Sequence, residues 1–142
     1  MRPTVQKLAI LAGHRDCVYA LTGTVGEDVV YSAGPDGQVV AWNAAAPEQD
    51  GELVAKVENS VYALCRLPER DLLVLGHNFQ GIQVIDLASK ELAFATALPP
   101  VAIFDICYSE ARQRLYVALA DGTLAVLRTP LSPRSNSCII RP

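Results

Sequence analysis

A histidine, a serine and an aspartate stand within the first quarter of the chain, at His14, Ser32 and Asp36. Those residue types can make a hydrolytic triad, in which an imidazole oriented by a carboxylate takes the serine proton. The sequence does not support that chemistry here. A serine hydrolase of the common α/β type displays its nucleophile on a G-x-S-x-G elbow, and no such pattern occurs. No P-loop, dinucleotide fingerprint, HExxH or Ca²⁺ loop occurs either. His14 alone could still act as a base or a metal ligand.

Other residues of chemical interest lie further on. His77 sits in Leu75-Gly76-His77-Asn78-Phe79, which reads as an exposed loop able to bind. Asp105 interrupts an apolar run, so its carboxylate is expected to face a channel or to pair with another group. The cysteines are Cys17, Cys65, Cys107 and Cys138, with no C-x-x-C and no clustering with histidine, so no metal site is expected. Cys65 and Cys107 occupy matching places in neighbouring units. Packed sheets lie roughly 10 Å apart, too far for a disulfide. Buried, reduced thiols are the expectation.

The elements that must position these groups follow from an internal repeat. Val18-Tyr19-Ala20-Leu21 returns as Val61-Tyr62-Ala63-Leu64 and again as Ile103-Phe104-Asp105-Ile106, at spacings of 43 and 42 residues. A period of about 40 residues marks a repeat architecture. Each unit holds short apolar runs: 18–21, 29–33, 39–42 and 53–57, then 61–65, 72–75, 82–85 and 92–96, then 103–108, 115–119 and 124–127. These runs are too short for helices and suit buried strands. Pro35-Asp36-Gly37 and Ala120-Asp121-Gly122 separate the second and third runs. Asp-Gly between apolar runs signals a tight hairpin, because Gly adopts a positive φ at little cost. The second unit has Asn78-Phe79-Gln80-Gly81 instead, and Gly34 and Gly76 read as matching strand ends. Four strands in about 42 residues make one propeller blade.

The first unit carries further marks. Gly13-His14 precedes its first strand, Ser32 lies in the second, Asp36 opens the turn and Trp42-Asn43 ends the third. This resembles a WD-repeat β-propeller blade, with Asn43 where the signature has Asp. The resemblance implies a hydrogen-bonded structural tetrad of His14, Ser32, Asp36 and Trp42, and no catalytic residue. Units two and three match more loosely: Ile85-Asp86 keeps the Asp without the Trp, and Leu127-Arg128 keeps neither. The expected fold is therefore all-β, with three propeller blades of four antiparallel strands each.

The expected divisions are an N-terminal outer strand in 1–12, blades at 13–57, 58–98 and 99–128, and an irregular tail at 129–142. The third blade lacks its own outer strand, and residues 7–11 could supply one to this chain or to a partner. Propellers typically have 4–8 blades. Three imply a piece of a longer propeller, a homo-oligomer that completes the ring, or a self-sufficient small fold.

By the same resemblance, a rim for a protein partner gathers Arg15, Asp16, Pro35, Asn59, Phe79 and Ala120. His77 and Asp105 join it as candidates from their own sequence contexts. Phe79 stands out as a large apolar residue in a polar turn. Tyr19, Tyr62 and Phe104 recur at one position and so share one environment. Packing between blades is the default, and an aromatic contact surface follows if they face the channel mouth.

Composition agrees with this reading. Half of the 142 residues are apolar and 19% are charged, which suits a folded domain. The net charge of −3 lacks the basic footprint of a nucleic-acid binder. No apolar run approaches a membrane span, and the five apolar residues at 8–12 are too few for a signal peptide core. The sequence thus predicts a cytoplasmic, non-catalytic interaction scaffold without a cofactor. The alternative is a ligand-binding or enzymatic propeller with its site at the central channel, using Asp105, His77 and Asp16.

Overall fold

The computed structural model describes residues 2–78 and 81–129. Phe79, Gln80 and the tail from 130 onward, which includes Cys138, lie outside the described residues. The described strands form three antiparallel sheets that follow one another along the chain. Sheet one contains β1 (Ala20–Gly23), β2 (Val29–Ala33), β3 (Gln38–Asn43) and β4 (Glu52–Lys56) in that order. Sheet two contains β5 (Val61–Leu67), β6 (Leu72–His77), β7 (Ile82–Asp86) and β8 (Glu91–Thr96). Sheet three contains β9 (Ile103–Ser109), β10 (Arg114–Leu119) and β11 (Leu124–Arg128). Among the described residues there is no α-helix, and no helix is long and apolar enough to cross a membrane.

The burial pattern explains the apolar runs. Sheet two lies between the other two and buries both of its faces. Leu64, Leu73, Leu75 and Ile85 pack towards sheet one with Ala20, Tyr31, Ala33 and Val39. Cys65, Val74, Ile82 and Val84 pack towards sheet three with Ile106, Leu115 and Val117. A strand buried on both faces has no polar side, so β6 reads as an almost unbroken apolar stretch. Each fully buried aliphatic side chain contributes about 1.5–3 kcal/mol, so these two interfaces dominate the stability.

The hairpin signals act as the residue types require. Gly37 has φ +73°, and a Cβ there would stand 2.1 Å from the Val57 carbonyl oxygen. Asp36 Oδ1 accepts the Gln38 amide at 3.0 Å, and Asp121 Oδ1 accepts the Thr123 amide at 3.0 Å in the equivalent turn.

Four expectations need correction. The first strand begins at Ala20, not Val18, because Tyr19 enters a bulge described below. Residues 7–11 form no strand, and Leu8 and Ile10 are exposed. Sheet one packs on sheet two and sheet two on sheet three, without a comparable contact between one and three. The N-terminal segment therefore lies at the far end of the row from β11. Third, Gly76 pairs with Ala63 as Ala33 pairs with Ala20, so Gly76 matches Ala33, and His77 takes the place of Gly34. Finally, among the described residues only Cys65 is a buried thiol. Cys17 and Cys107 are exposed, since Cys17 precedes β1 and Cys107 lies on the uncovered face of sheet three. Burial pushes the Cys65 thiol up to about 12.

Sheets one and two are also tied by a charged residue that the apolar pattern conceals. The guanidinium of Arg66 donates to the Leu67 carbonyl at 3.1 Å and to Asp71 Oδ1 at 2.9 Å, with Glu27 of sheet one at 3.9 Å. The Arg66 amide donates to Thr22 Oγ1 at 3.1 Å. Replacing Arg66 by Met leaves the Leu67 carbonyl and Asp71 without this donor, and the expected loss is about 1–3 kcal/mol. Urea unfolding followed by Trp42 fluorescence measures it, and an unchanged midpoint would remove Arg66 from the inter-sheet tie.

Candidate functional site

The first constellation forms on the face of sheet one that points away from sheet two. Trp42 Nε1 donates to Ser32 Oγ at 2.7 Å, and Ser32 Oγ lies 2.7 Å from His14 Nε2. His14 Nδ1 lies 3.3 Å from Asp36 Oδ2. With the hydroxyl donating to Nε2, the ring proton sits on Nδ1 and points to the carboxylate. Proton donors thus run from indole to hydroxyl to imidazole to carboxylate, and each member is satisfied. Burial works to raise the Asp36 carboxyl, but the Gln38 amide and the His14 ring together hold it below its ordinary value.

The geometry excludes a nucleophile. Ser32 is only 2% exposed, and the indole N–H occupies its oxygen. The indole is covered by backbone, since a Cβ on Gly51 would fall 2.5 Å from Val40 Cγ1 and 3.0 Å from the Trp42 ring. No substrate carbonyl can approach the hydroxyl in this arrangement.

A second constellation runs across all three sheets. Val61 pairs with His77 and Ala63 with Gly76, so Tyr62 is the extra residue of a β-bulge. Ile103 pairs with Leu119 and Asp105 with Ala118, which makes Phe104 the extra residue in sheet three. In sheet one the Tyr19 amide bonds the Ala33 carbonyl at 2.9 Å, while Ala33 already pairs with Ala20. The same irregularity therefore recurs at one position in each unit. A bulge re-aims its side chain off the two packed faces, and the three rings meet. Tyr19 and Tyr62 have centroids 5.3 Å apart, and Tyr62 and Phe104 6.1 Å apart, both tilted. Such spacings suit favourable aromatic pairs. Tyr19 is 52% exposed and Phe104 63% exposed. The rings do not pack between the sheets. They form a strip along the innermost strands, and no periodicity argument reveals the bulge that produces it.

The remaining candidates are scattered. Arg15 and Asp16 are exposed beside the strip's first strand, and Asp16 Oδ1 accepts the Cys17 amide at 2.8 Å. Asp105 is exposed and accepts the Ile106 amide at 2.9 Å. It sits where Ala20 and Ala63 face the following sheet, and no sheet follows among the described residues. Asn59 is partly buried between sheets one and two. His77 is not in an exposed loop. It ends β6, is 1% exposed, and its Nε2 lies 2.9 Å from Gln83 Oε1. The turn was expected to start earlier, but β6 continues one residue further because Val61 pairs with His77. Phe79 lies outside the described residues. Among the described residues no group of His, Cys, Asp and Glu could hold a metal ion.

Comparison with known proteins places the fold. No family model matches the chain. The chain is 24% identical over 134 residues to mouse cilia- and flagella-associated protein 57, covering 91% of this chain and 10% of that protein. Among solved structures, the RRP9 WD40 repeats align with a TM-score of 0.72 at 15% identity, covering 83% of this chain and 37% of theirs. U3-55K aligns with a TM-score of 0.73 at 15% identity, covering 83% and 38%. The three sheets are thus WD40-type propeller blades. The chain spans about a tenth of the curated relative and well under half of either structure.

Two outcomes follow from the site's geometry. Ser32→Ala leaves the buried indole N–H without its acceptor, and the expected cost is about 1–3 kcal/mol, read as a lowered denaturation midpoint. An unchanged midpoint would detach the hydroxyl from the stability of blade one. His77 is held below its ordinary value by burial, opposed by Gln83 and the Ser60 backbone. The unfolded chain therefore binds the proton more readily. His77 contributes stability in full above about pH 6.5, and that stability falls as pH drops through the folded value. His77→Asn is expected to flatten the wild-type loss of stability between neutral and mildly acidic pH. Parallel curves for the two proteins would contradict the assignment.

Proposed function

We propose that the chain is a non-catalytic protein-interaction module of the WD-repeat type, binding a partner through the strip of Tyr19, Tyr62 and Phe104. The observation that carries this reading is the recurrence of an aromatic residue at a β-bulge in each blade, exposed at Tyr19 and Phe104 and half-buried at Tyr62 between them. Aromatic side chains are enriched at protein interfaces and dominate their energetics. Three rings fixed on rigid inner strands present apolar area with little ordering cost. Asp16 and Arg15 flank the strip at one end and Asp105 adjoins Phe104 at the other, supplying a polar rim. His14, Ser32, Asp36 and Trp42 serve in this reading as the lock that holds blade one rigid beneath Tyr19. The acidic balance argues for a protein partner rather than nucleic acid. A cytoplasmic location belongs to the same proposal.

Completion of the ring is also part of it. Leu21 and Leu53 lie exposed on the outward face of blade one, in one row with Ser32 and Val40. Leu124 is exposed on the outward face of blade three, in one row with Ala118 and Asp105. Such faces require a neighbouring blade, from a second copy or from a longer chain. Light scattering on the purified chain is expected to give a discrete oligomer if copies supply it. A stable monomer would refute completion by copies.

Peptide display on the immobilised chain, counter-selected against a Tyr19→Ser, Tyr62→Ser, Phe104→Ser variant, tests the strip. Enriched peptides are expected to lose about tenfold or more in affinity on the variant, as truncating interface anchors does. Equal binding to both proteins would place the contact surface elsewhere.

A further inference from the structure

Blade two lacks the hydrogen-bonded lock of blade one, and the strand registers show what replaced it. Leu21 pairs with Ser32 and Ser32 with Val40 in blade one, as Leu64 pairs with Leu75 and Leu75 with Gln83 in blade two. Leu75 therefore takes the position of Ser32, and Gln83 that of Val40. Val30 pairs with Trp42 and Leu73 with Ile85, so Ile85 stands for the indole. A cavity of about 340 Å³ lies between blades one and two, with Val57, Ile85 and Leu92 in its wall. His77 and Gln83 add a polar pair to the same wall. Blade one has Gly34 and Val40 at these two positions, and blade three has Leu119 and Ala125. Blade two alone places a titratable group there, at a cost in burial that the other blades avoid.

His77 stands directly behind the middle ring of the aromatic strip. Val61 pairs with His77 and Ala63 with Gly76, so the bulge that aims Tyr62 is set by the last two rungs of β6. The imidazole is 1% exposed, and its contacts are few. Nε2 lies 2.9 Å from Gln83 Oε1, which places the ring proton on Nε2. Nδ1 is buried without a hydrogen bond of good geometry. The Ser60 backbone, two residues before Tyr62, is only a weak electrostatic partner. Charged groups stand off from the ring. Asp36 and Lys56 lie together on the outward face of blade one. Lys90 pairs with Glu52. Glu58 shares the cavity wall but is not a hydrogen-bond partner of the imidazole. On the other face of β6, Gly76 meets Ile103, and Asp105 lies exposed on the outward face of blade three.

We propose that His77 is a pH-sensitive support for Tyr62: the neutral ring holds the middle of the strip in place, and protonation withdraws it. The inference rests on the reading of the strip as the contact surface. A charged imidazole donates from both nitrogens. Nε2 keeps Gln83, but Nδ1 then carries a proton with no acceptor in line, and a buried charge without a partner is costly. Burial already holds the ring below the ordinary histidine value, and Gln83 and the Ser60 backbone offset this only in part. Two movements relieve the charge. The ring can turn into the cavity, which has room for water, or residues 59–62 can close on Nδ1 through the Ser60 carbonyl. Either disturbs the rung of Val61 and His77 that sets the bulge. Tyr62 touches both other rings, so its displacement divides the strip. A partner is therefore held at neutral pH and released progressively below about pH 6.5.

The chain has two histidines, so their ring resonances titrate separately in NMR spectra of the full wild-type chain between pH 7.5 and 5.0. The Tyr62 ring is expected to move with the midpoint of His77 and to lose its nuclear Overhauser contacts with Tyr19 and Phe104, while Tyr116 on β10 stays unmoved. A Tyr62 ring that ignores the His77 titration overturns the proposal, as does a His77 ring that stays neutral until the chain unfolds. A peptide selected by display for its dependence on the strip supplies the second readout. Its affinity is expected to fall about threefold or more over the same pH range, as the competent fraction falls, and the slope is expected to flatten in His77→Asn. Equal slopes in the two proteins overturn the switch and leave the strip intact as a contact surface. Failure to select any strip-dependent peptide refutes the contact surface instead, and the Tyr62 titration still decides whether His77 moves that ring. The NMR arm uses the wild-type chain and holds even where the variant fails to fold.

Discussion

Face-to-face burial of blade two between its neighbours is the constraint on which the rest depends. A single antiparallel sheet of four short strands has two faces, and one must be covered for it to persist. Blade two has both covered, through Leu73 and Leu75 on one side and Val74 and Val84 on the other. Blades one and three each receive one covered face from it. The inner strands β1, β5 and β9 are brought side by side by that stacking, and only then do three bulge residues far apart in sequence become one aromatic strip. The strip is thus a consequence of inter-blade packing and has no existence within a single repeat.

The two outer faces meet their exposure differently. Blade one covers part of its own outward face with local chain. The segment through Gly13 and the strand entrance at Gly51 close over Trp42, and the hydrogen bonds among His14, Ser32 and Asp36 hold that cover down. Blade three has no such device. Leu127, at the indole's position, faces blade two instead, and Leu124 and Cys107 lie exposed on the opposite, outward side. An exposed carboxylate at Asp105, where the other blades place alanine, keeps that face from being uniformly apolar. Charge on an unpaired sheet surface discourages indiscriminate pairing.

Much of this was legible in the sequence because the signals are local or periodic. The runs at 72–75, 82–85, 115–119 and 124–127 fall inside β6, β7, β10 and β11, since a buried strand has to be apolar and a hairpin needs its glycine. The lock in blade one was legible through resemblance, because Gly13-His14, Ser32, Asp36 and Trp42 keep their spacing. What escaped were features set by register. A bulge adds one residue to one strand without changing its composition, so Tyr62 and Phe104 read as ordinary packed positions. The same shift hid the equivalence of His77 with Gly34 and left the histidine looking like a loop residue. Arg66 was missed for another reason: its charge is neutralised by partners on both blades, and a run of Val, Tyr, Ala, Leu and Cys before it suggests nothing about them.

Divergence among the repeats follows from what each blade must do for its neighbours. A polar lock is useful where no sheet covers the indole, because satisfied hydrogen bonds can hold a local flap without help from outside. Between two blades that need lapses, since the neighbour itself excludes water. Leu75 and Ile85 can then replace Ser32 and Trp42 with a gain in simple apolar burial. Yet aliphatic groups do not refill the volume of an indole and an imidazole, and interiors are otherwise close-packed. The space that remains beside Val57 and Ile85 is where His77 and Gln83 appear. A void would be cheapest if lined by apolar groups alone, which keep it dry. Polar groups at its wall favour an occupant that can hydrogen-bond, such as water. Loss of the lock and gain of the polar pair are therefore one change in blade two, and the cavity is its result.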